Sequence, residues 1–160
     1  MSRSPSPDRG CSRTGRRFRF ALPLLWLAAT APSVPGLAQV PELPEDLEIG
    51  LALSALPAHL RPEATVYTLD PAVGFQVARE GSNGFHALVV RNDPAFAAGD
   101  WDYPTWRNDL LIPIAFDAAG VDAQLRVLLD VAAWRAAGRS PAEARVEIRR
   151  CFASGAYPPP

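Results

Sequence analysis

Few side chains in this sequence could do covalent or acid–base chemistry, and their spacing keeps them apart. There are two histidines, His59 and His86, and two cysteines, Cys11 and Cys151. No His-x-x-x-His or Cys-x-x-Cys spacing occurs, whereas a structural zinc site needs about four nitrogen or sulfur ligands. Asp100-Trp-Asp102 begins like a calcium loop, but Pro104 stands at the next ligand place and no glycine makes the sharp turn. No Gly-x-Ser-x-Gly elbow is present. Ser54 falls inside a predicted helix, where its hydroxyl is expected to bond a carbonyl one turn back. Cys151 falls on the apolar stripe of the last predicted helix, where cysteine behaves as a small hydrophobe. No glycine-rich loop follows a strand and opens a helix, so no phosphate cradle is expected. The sequence therefore assigns no catalytic residue, metal or cofactor, and it leans away from an enzyme.

Two groups of residues are less bland. Arg79, Glu80, Asn83 and His86 cluster at one end of a predicted hairpin, where His86 would be a pH-sensitive group. Their plain reading is paired or solvated charges with His86 half-buried on a sheet face. The second group is Asp100-Trp-Asp-Tyr-Pro-Thr-Trp106. Its aromatics, Trp101, Tyr103 and Trp106, could stack on a sugar or a partner protein. The plain reading there is that the two tryptophans fold back over the rim of a small core. Geometry separates the two functional readings. An exposed Trp106 favours recognition through the loop, and His86 at the mouth of a deep cleft favours an enzyme or small-ligand site.

The elements that must position these residues follow from composition and punctuation. The chain has 160 residues, 48% hydrophobic and 21% charged, with Gly 11 and Pro 17. That is the composition of a globular protein and excludes collagen, coiled coil and disordered chains. All 16 basic residues are arginine. Six of them precede residue 20 against the single acid Asp8, and Phe20–Ala31 follows as an apolar run. A basic start, an apolar run and the small residues of Gly36-Leu-Ala38 form the layout of a Sec-type signal peptide over 1–38, cut after Ala38. Arg16-Arg17 keeps a twin-arginine export signal open. The run is too short for a stable span of a hydrocarbon core about 30 Å thick. The expected location is periplasmic or secreted, with no stable membrane span after cleavage. Residues 39–160 form one domain with proline-rich ends, and its acidic balance argues against nucleic acid. Cys151 is its only cysteine, so no disulfide within it is expected.

Along that domain, Pro44-Glu-Asp-Leu-Glu opens a helix that Pro57 ends. Its expected inward stripes are Leu47 with Leu51, and Ile49 with Leu53 and Leu56. Residues 64–70, 74–80 and 85–91 read as strands, with Gly81-Ser-Asn-Gly84 turning the second into the third. Short links predict antiparallel neighbours. Residues 110–116 are apolar, but Pro113 limits them to an edge strand. A helix over 118–137 ends at Gly138, and Ser140-Pro-Ala-Glu143 is a capping box opening another. Tyr157-Pro-Pro-Pro160 is expected to fray. The predicted class is α+β, a small antiparallel sheet of three strands plus an edge strand, covered by about three helices.

Ala52-Leu-Ser-Ala55, Pro57, Ala64-Thr-Val66 and Arg79-Glu-Gly-Ser-Asn-Gly-Phe85 together resemble a group of secreted bacterial proteins of unassigned function. The likeness spans roughly residues 48–117 and implies no activity, cofactor or site. It implies a cysteine two places after the aromatic and another near residue 115, where this chain has Ala87 and Ala115. By that resemblance the two positions touch, and a disulfide is absent here. The expected function is surface recognition in the cell envelope, of an envelope protein or a glycan. The alternative is a periplasmic enzyme or ligand-binding protein with its site near His86.

Overall fold

The strand punctuation of the sequence is obeyed, but the strands do not join in the expected order. A computed structural model describes residues 42–158. The 1–38 leader, its cut after Ala38, Cys11 and the last two prolines lie outside the described residues. The elements are α1 (Glu45–Ser54), β1 (Thr65–Asp70), β2 (Gly74–Arg79), β3 (His86–Val90), α2 (Pro94–Ala97), β4 (Ile112–Phe116), α3 (Ala118–Gly120), α4 (Arg126–Ala136) and α5 (Pro141–Ala153). A turn of the wider π form, Val121–Leu125, joins α3 to α4 without a break. The fold is α+β, with a four-stranded sheet in the order β2-β1-β3-β4.

The sheet is mixed, which corrects the antiparallel expectation. β1 and β2 form an antiparallel hairpin, but β3 lies on the far side of β1 and runs parallel to it, Thr65 opposite His86 and Val66 opposite Ala87. The cause lies in the Gly81–Gly84 turn. Its N–H groups do not close a hairpin. Those of Ser82 and Asn83 go to the Glu63 carbonyl at 2.8 and 3.1 Å, and that of Gly81 goes to Thr65 Oγ1 at 3.0 Å. The turn therefore crosses over the start of β1 and delivers β3 to its other edge. Only glycine fits at position 81, where a Cβ would lie 2.3 Å from the Glu63 oxygen and the Ala64 backbone.

β4 pairs antiparallel with β3 at the sheet edge, with Pro113 opposite Val89. An edge is where a strand tolerates a missing N–H. Ala87 and Ala115 stand directly opposite in this pair, a spacing of about 4.5–5.5 Å between Cα atoms. The two positions that the resemblance brings together are thus cross-strand neighbours.

α1 covers the face formed by Val66, Ala87 and Val89, and its Ala52 joins them with Leu56 and Ala64 in one buried cluster. Leu51, Ile49, Leu53 and Leu56 pack into that cluster as expected. Leu47 does not, at 51% exposed, and the most deeply buried positions within the helix are Glu48 and Ala52. α4 packs against β2. Gly74, at φ +98°, permits the approach, since a Cβ there would lie 2.8 Å from the Ala133 nitrogen. α5 starts at the expected capping box, with Ser140 Oγ accepting from the Glu143 N–H at 3.3 Å and Glu143 accepting from the Ser140 N–H at 2.8 Å. Cys151 is buried on its inward face. The tail does not fray at Tyr157. That ring is 1% exposed, meets Phe152 edge-on at 5.2 Å, and donates its hydroxyl to Asp130 at 2.7 Å. A large ring beside a buried acceptor overrides the disorder that flanking prolines imply. Among the described residues no helix is long and apolar enough to cross a membrane.

Candidate functional site

Three regions hold the polar and aromatic residues that could act. The first is the sheet end where β2 stops and β3 starts. Arg79 donates from Nε and Nη2 to the Ala64 carbonyl at 3.3 and 3.0 Å, and from Nη2 to the Arg61 carbonyl. Asn83 donates from Nδ2 to the Leu60 carbonyl at 2.7 Å and accepts from the Phe85 N–H at 3.0 Å. Both side chains hold the segment that leads into β1. Glu80 is exposed.

His86 is half-buried on the sheet, with Nδ1 3.0 Å from the Tyr67 hydroxyl and the two rings stacked at 5.8 Å. Burial pushes the imidazole below its usual range, partly opposed by the nearby Glu80 charge. Burial pushes the Tyr67 phenol up, and Glu80 adds to that. The Tyr67 hydroxyl donates to Nδ1 when the ring proton is on Nε2 and accepts from Nδ1 in the other tautomer. Among the described residues neither histidine bonds a serine, threonine or cysteine, and His86 does not line the pocket described below. The geometry for an activated nucleophile is not assembled there.

The second region is the 100–106 loop. Asp93 caps α2 by accepting the Ala95 N–H at 2.9 Å, and α2 buries Phe96. Trp101 packs edge-on against that ring at 5.2 Å. Asp102 Oδ1 receives both Nε and Nη2 of Arg149, at 3.1 and 2.6 Å. Trp106 pairs through its backbone with Asn92, and the Arg135 guanidinium lies 5.2 Å from its ring. Both tryptophans are half-buried, as in their plain reading, and Trp106 is not the exposed group that the recognition reading called for. Tyr103, between the anchors, is 59% exposed.

The third region, absent from the sequence reading, lies at the opposite end of the sheet. Glu48 and Arg91 are 3.7 Å apart with side chains only 3% and 2% exposed. Glu48 also accepts the Leu69 N–H at 3.2 Å. Burial pushes the Glu48 carboxyl up, against the pull of Arg91 and the Leu69 N–H. It pushes Arg91 down, against the pull of Glu48. Arg135, on the last turn of α4, donates to Asn108 Oδ1, and burial and then the like charge of Arg91 lower its proton affinity. Leu69, Asp70, Phe75, Arg91, Trp106 and Arg135 line a pocket there. The cavity volume is about 30 Å³, room for about two waters. The available signal was positional. Glu48 precedes Ala52 by four and Leu56 by eight, on one helical face.

Among the described residues no group of three or more His, Cys, Asp or Glu is placed to hold a metal ion. No known protein family, curated protein or solved structure matches this chain.

Proposed function

We propose that this chain is an exported protein, sent out on a Sec-type leader cut after Ala38, and that it works by surface recognition in the cell envelope rather than by catalysis. The observation that carries the reading is the 100–106 loop. Trp101 is anchored on Phe96, Asp102 on Arg149 and Trp106 beside Arg135, so the backbone on both sides of Tyr103 is held while its ring stands in solvent. An aromatic side chain presented on a pre-ordered loop gives contact area with little further loss of conformational freedom on binding. Arg79 and Asn83, two of the residues that an active site near His86 would draw on, are engaged in holding the fold, which favours recognition over chemistry.

The test is photo-crosslinking in intact cells, with a benzoylphenylalanine replacing Tyr103 in one strain and Val73, an equally exposed residue at the β1–β2 turn, in another. The expected result is a discrete adduct from position 103 alone, on protein whose N-terminal residue is Gln39. Equal labelling from both positions, or a full-length chain retained in the cytosol, would overturn the proposal.

A further inference from the structure

At the end of the sheet where β1 and β3 finish, two guanidinium groups border one small pocket. We propose that this pocket binds a carboxylate group carried on a short aliphatic stem, with Arg91 and Arg135 as its cationic wall. Arg135 is poised for such a ligand. Its guanidinium is set beside the Trp106 ring and fixed by its bond to Asn108 Oδ1. Among the described residues no carboxylate lies within ion-pair distance of it, although four other arginines have such partners at 3.0 Å or less. Arg91 is different. It is buried and held in place by Glu48, so it offers a fixed positive charge rather than a mobile arm. The acid on the pocket wall, Asp70, already accepts the Ala72 N–H at 2.8 Å.

Size and lining choose the ligand class. Room for about two waters suits a carboxylate head and excludes a whole metabolite, which needs a cleft of about 300 Å³ or more. A planar two-oxygen anion matches the guanidinium fork. Most of the remaining wall, including Leu69, Phe75, Val131 and Ala132, is apolar, and its one amide, Asn92, already donates to the Thr105 carbonyl at 3.3 Å, so a tetrahedral phosphate would be desolvated with its outer oxygens poorly paired. A free short-chain acid and the C-terminus of a peptide present the same group, and the two are separated by experiment.

The experiment is a titration of the full-length protein followed by NMR at the Trp106 indole N–H and the Arg135 Nε–H. The probes are sodium propionate, sodium chloride, inorganic phosphate, and an alanine dipeptide with a free or an amidated C-terminus. Propionate or the free-acid dipeptide is expected to give saturable shifts with millimolar midpoints, and the tighter of the two identifies the source. Chloride, phosphate and the amidated dipeptide are expected to give none that saturate. Arg135→Met should weaken binding at least 10-fold. Arg135→Lys, which keeps the charge and loses the fork, should weaken it about 3-fold and stands in if the first variant does not fold. Equal shifts with chloride or phosphate, equal binding of the amide, or an Arg135 variant that titrates like the parent would each overturn the proposal.

Discussion

The two ends of the sheet use their polar side chains in different ways. At the end where β1 and β3 begin, Arg79 and Asn83 bond backbone carbonyls of residues 60–64, and the charges nearby stay at the surface. At the end where the same strands finish, Glu48 and Arg91 are buried together, with Arg135 close by. Neutral carbonyls are an inexpensive way to satisfy a guanidinium near solvent. Two charges withdrawn from water are not, because the desolvation cost can exceed their attraction. The first end is scaffold by this measure. The second carries an electrostatic cost that the fold alone does not require.

The comparison can be broken at either end. The largest effect is expected at Glu48. Glu48→Gln removes the carboxylate beside the buried Arg91 guanidinium and should lower the unfolding free energy by about 3 kcal/mol, read by urea denaturation. The paired change Glu48→Leu with Arg91→Met should recover most of that loss. If the double variant is as unstable as the sum of its parts, the pair is not a costly feature and the contrast disappears. Next comes a bridge across the centre of the sheet. Ala87→Cys with Ala115→Cys should form a disulfide on oxidation and raise stability by about 3 kcal/mol, as closure of a loop of this length predicts. Failure to oxidise would mean that the facing register of β3 and β4 is wrong.

Asn83→Ala, at the scaffold end, removes two hydrogen bonds and should cost about 2 kcal/mol. It should leave anion titrations of the other end unchanged. The smallest effect concerns pH. The folded His86 imidazole lies below its usual value of 6.5. Its contribution to stability is therefore present above that pH and is lost as pH falls through the lower folded value. The melting temperature should drop on acidification from pH 7 to pH 5, and less so in His86→Phe. An identical drop in both proteins assigns the acid sensitivity elsewhere.

Most of the local structure was legible because each element carried its own signal. β-branched and apolar runs marked the four strands, Ser140-Pro-Ala-Glu143 marked the start of α5, and Pro113 placed β4 at an edge. Strand order was not legible. Gly81-Ser-Asn-Gly84 has the composition of a hairpin turn, and nothing in it says that its N–H groups will be claimed by Glu63 in a distant segment. The short helix α2 was missed within a connection that reads as loop, although Asp93-Pro94 is a cap followed by a first-turn proline.

The candidate site divides in the same way. The plain readings of Trp101, Trp106 and His86 anticipate where those rings lie. Glu48 and Arg91 were invisible for a physical reason. An acid in the first turn of a helix is accounted for by the helix dipole, and an arginine after an apolar strand looks like its solvated end. Their partnership depends on α1 lying over the finishing ends of β1 and β3, which is a tertiary fact.

The placement of β3 between β1 and β4 bears on how the chain can fail. β3 meets β1 on one side through His86 and Ala87, and Leu88-Val89-Val90 find their strand partners only once residues 112–116 dock. Fragments that terminate ahead of Ile112 leave a flat, uncharged run of β-formers open to pairing with another molecule. Such fragments should precipitate, whereas a chain that carries β4 closes that side with a proline-bearing strand that is a poor template for further growth.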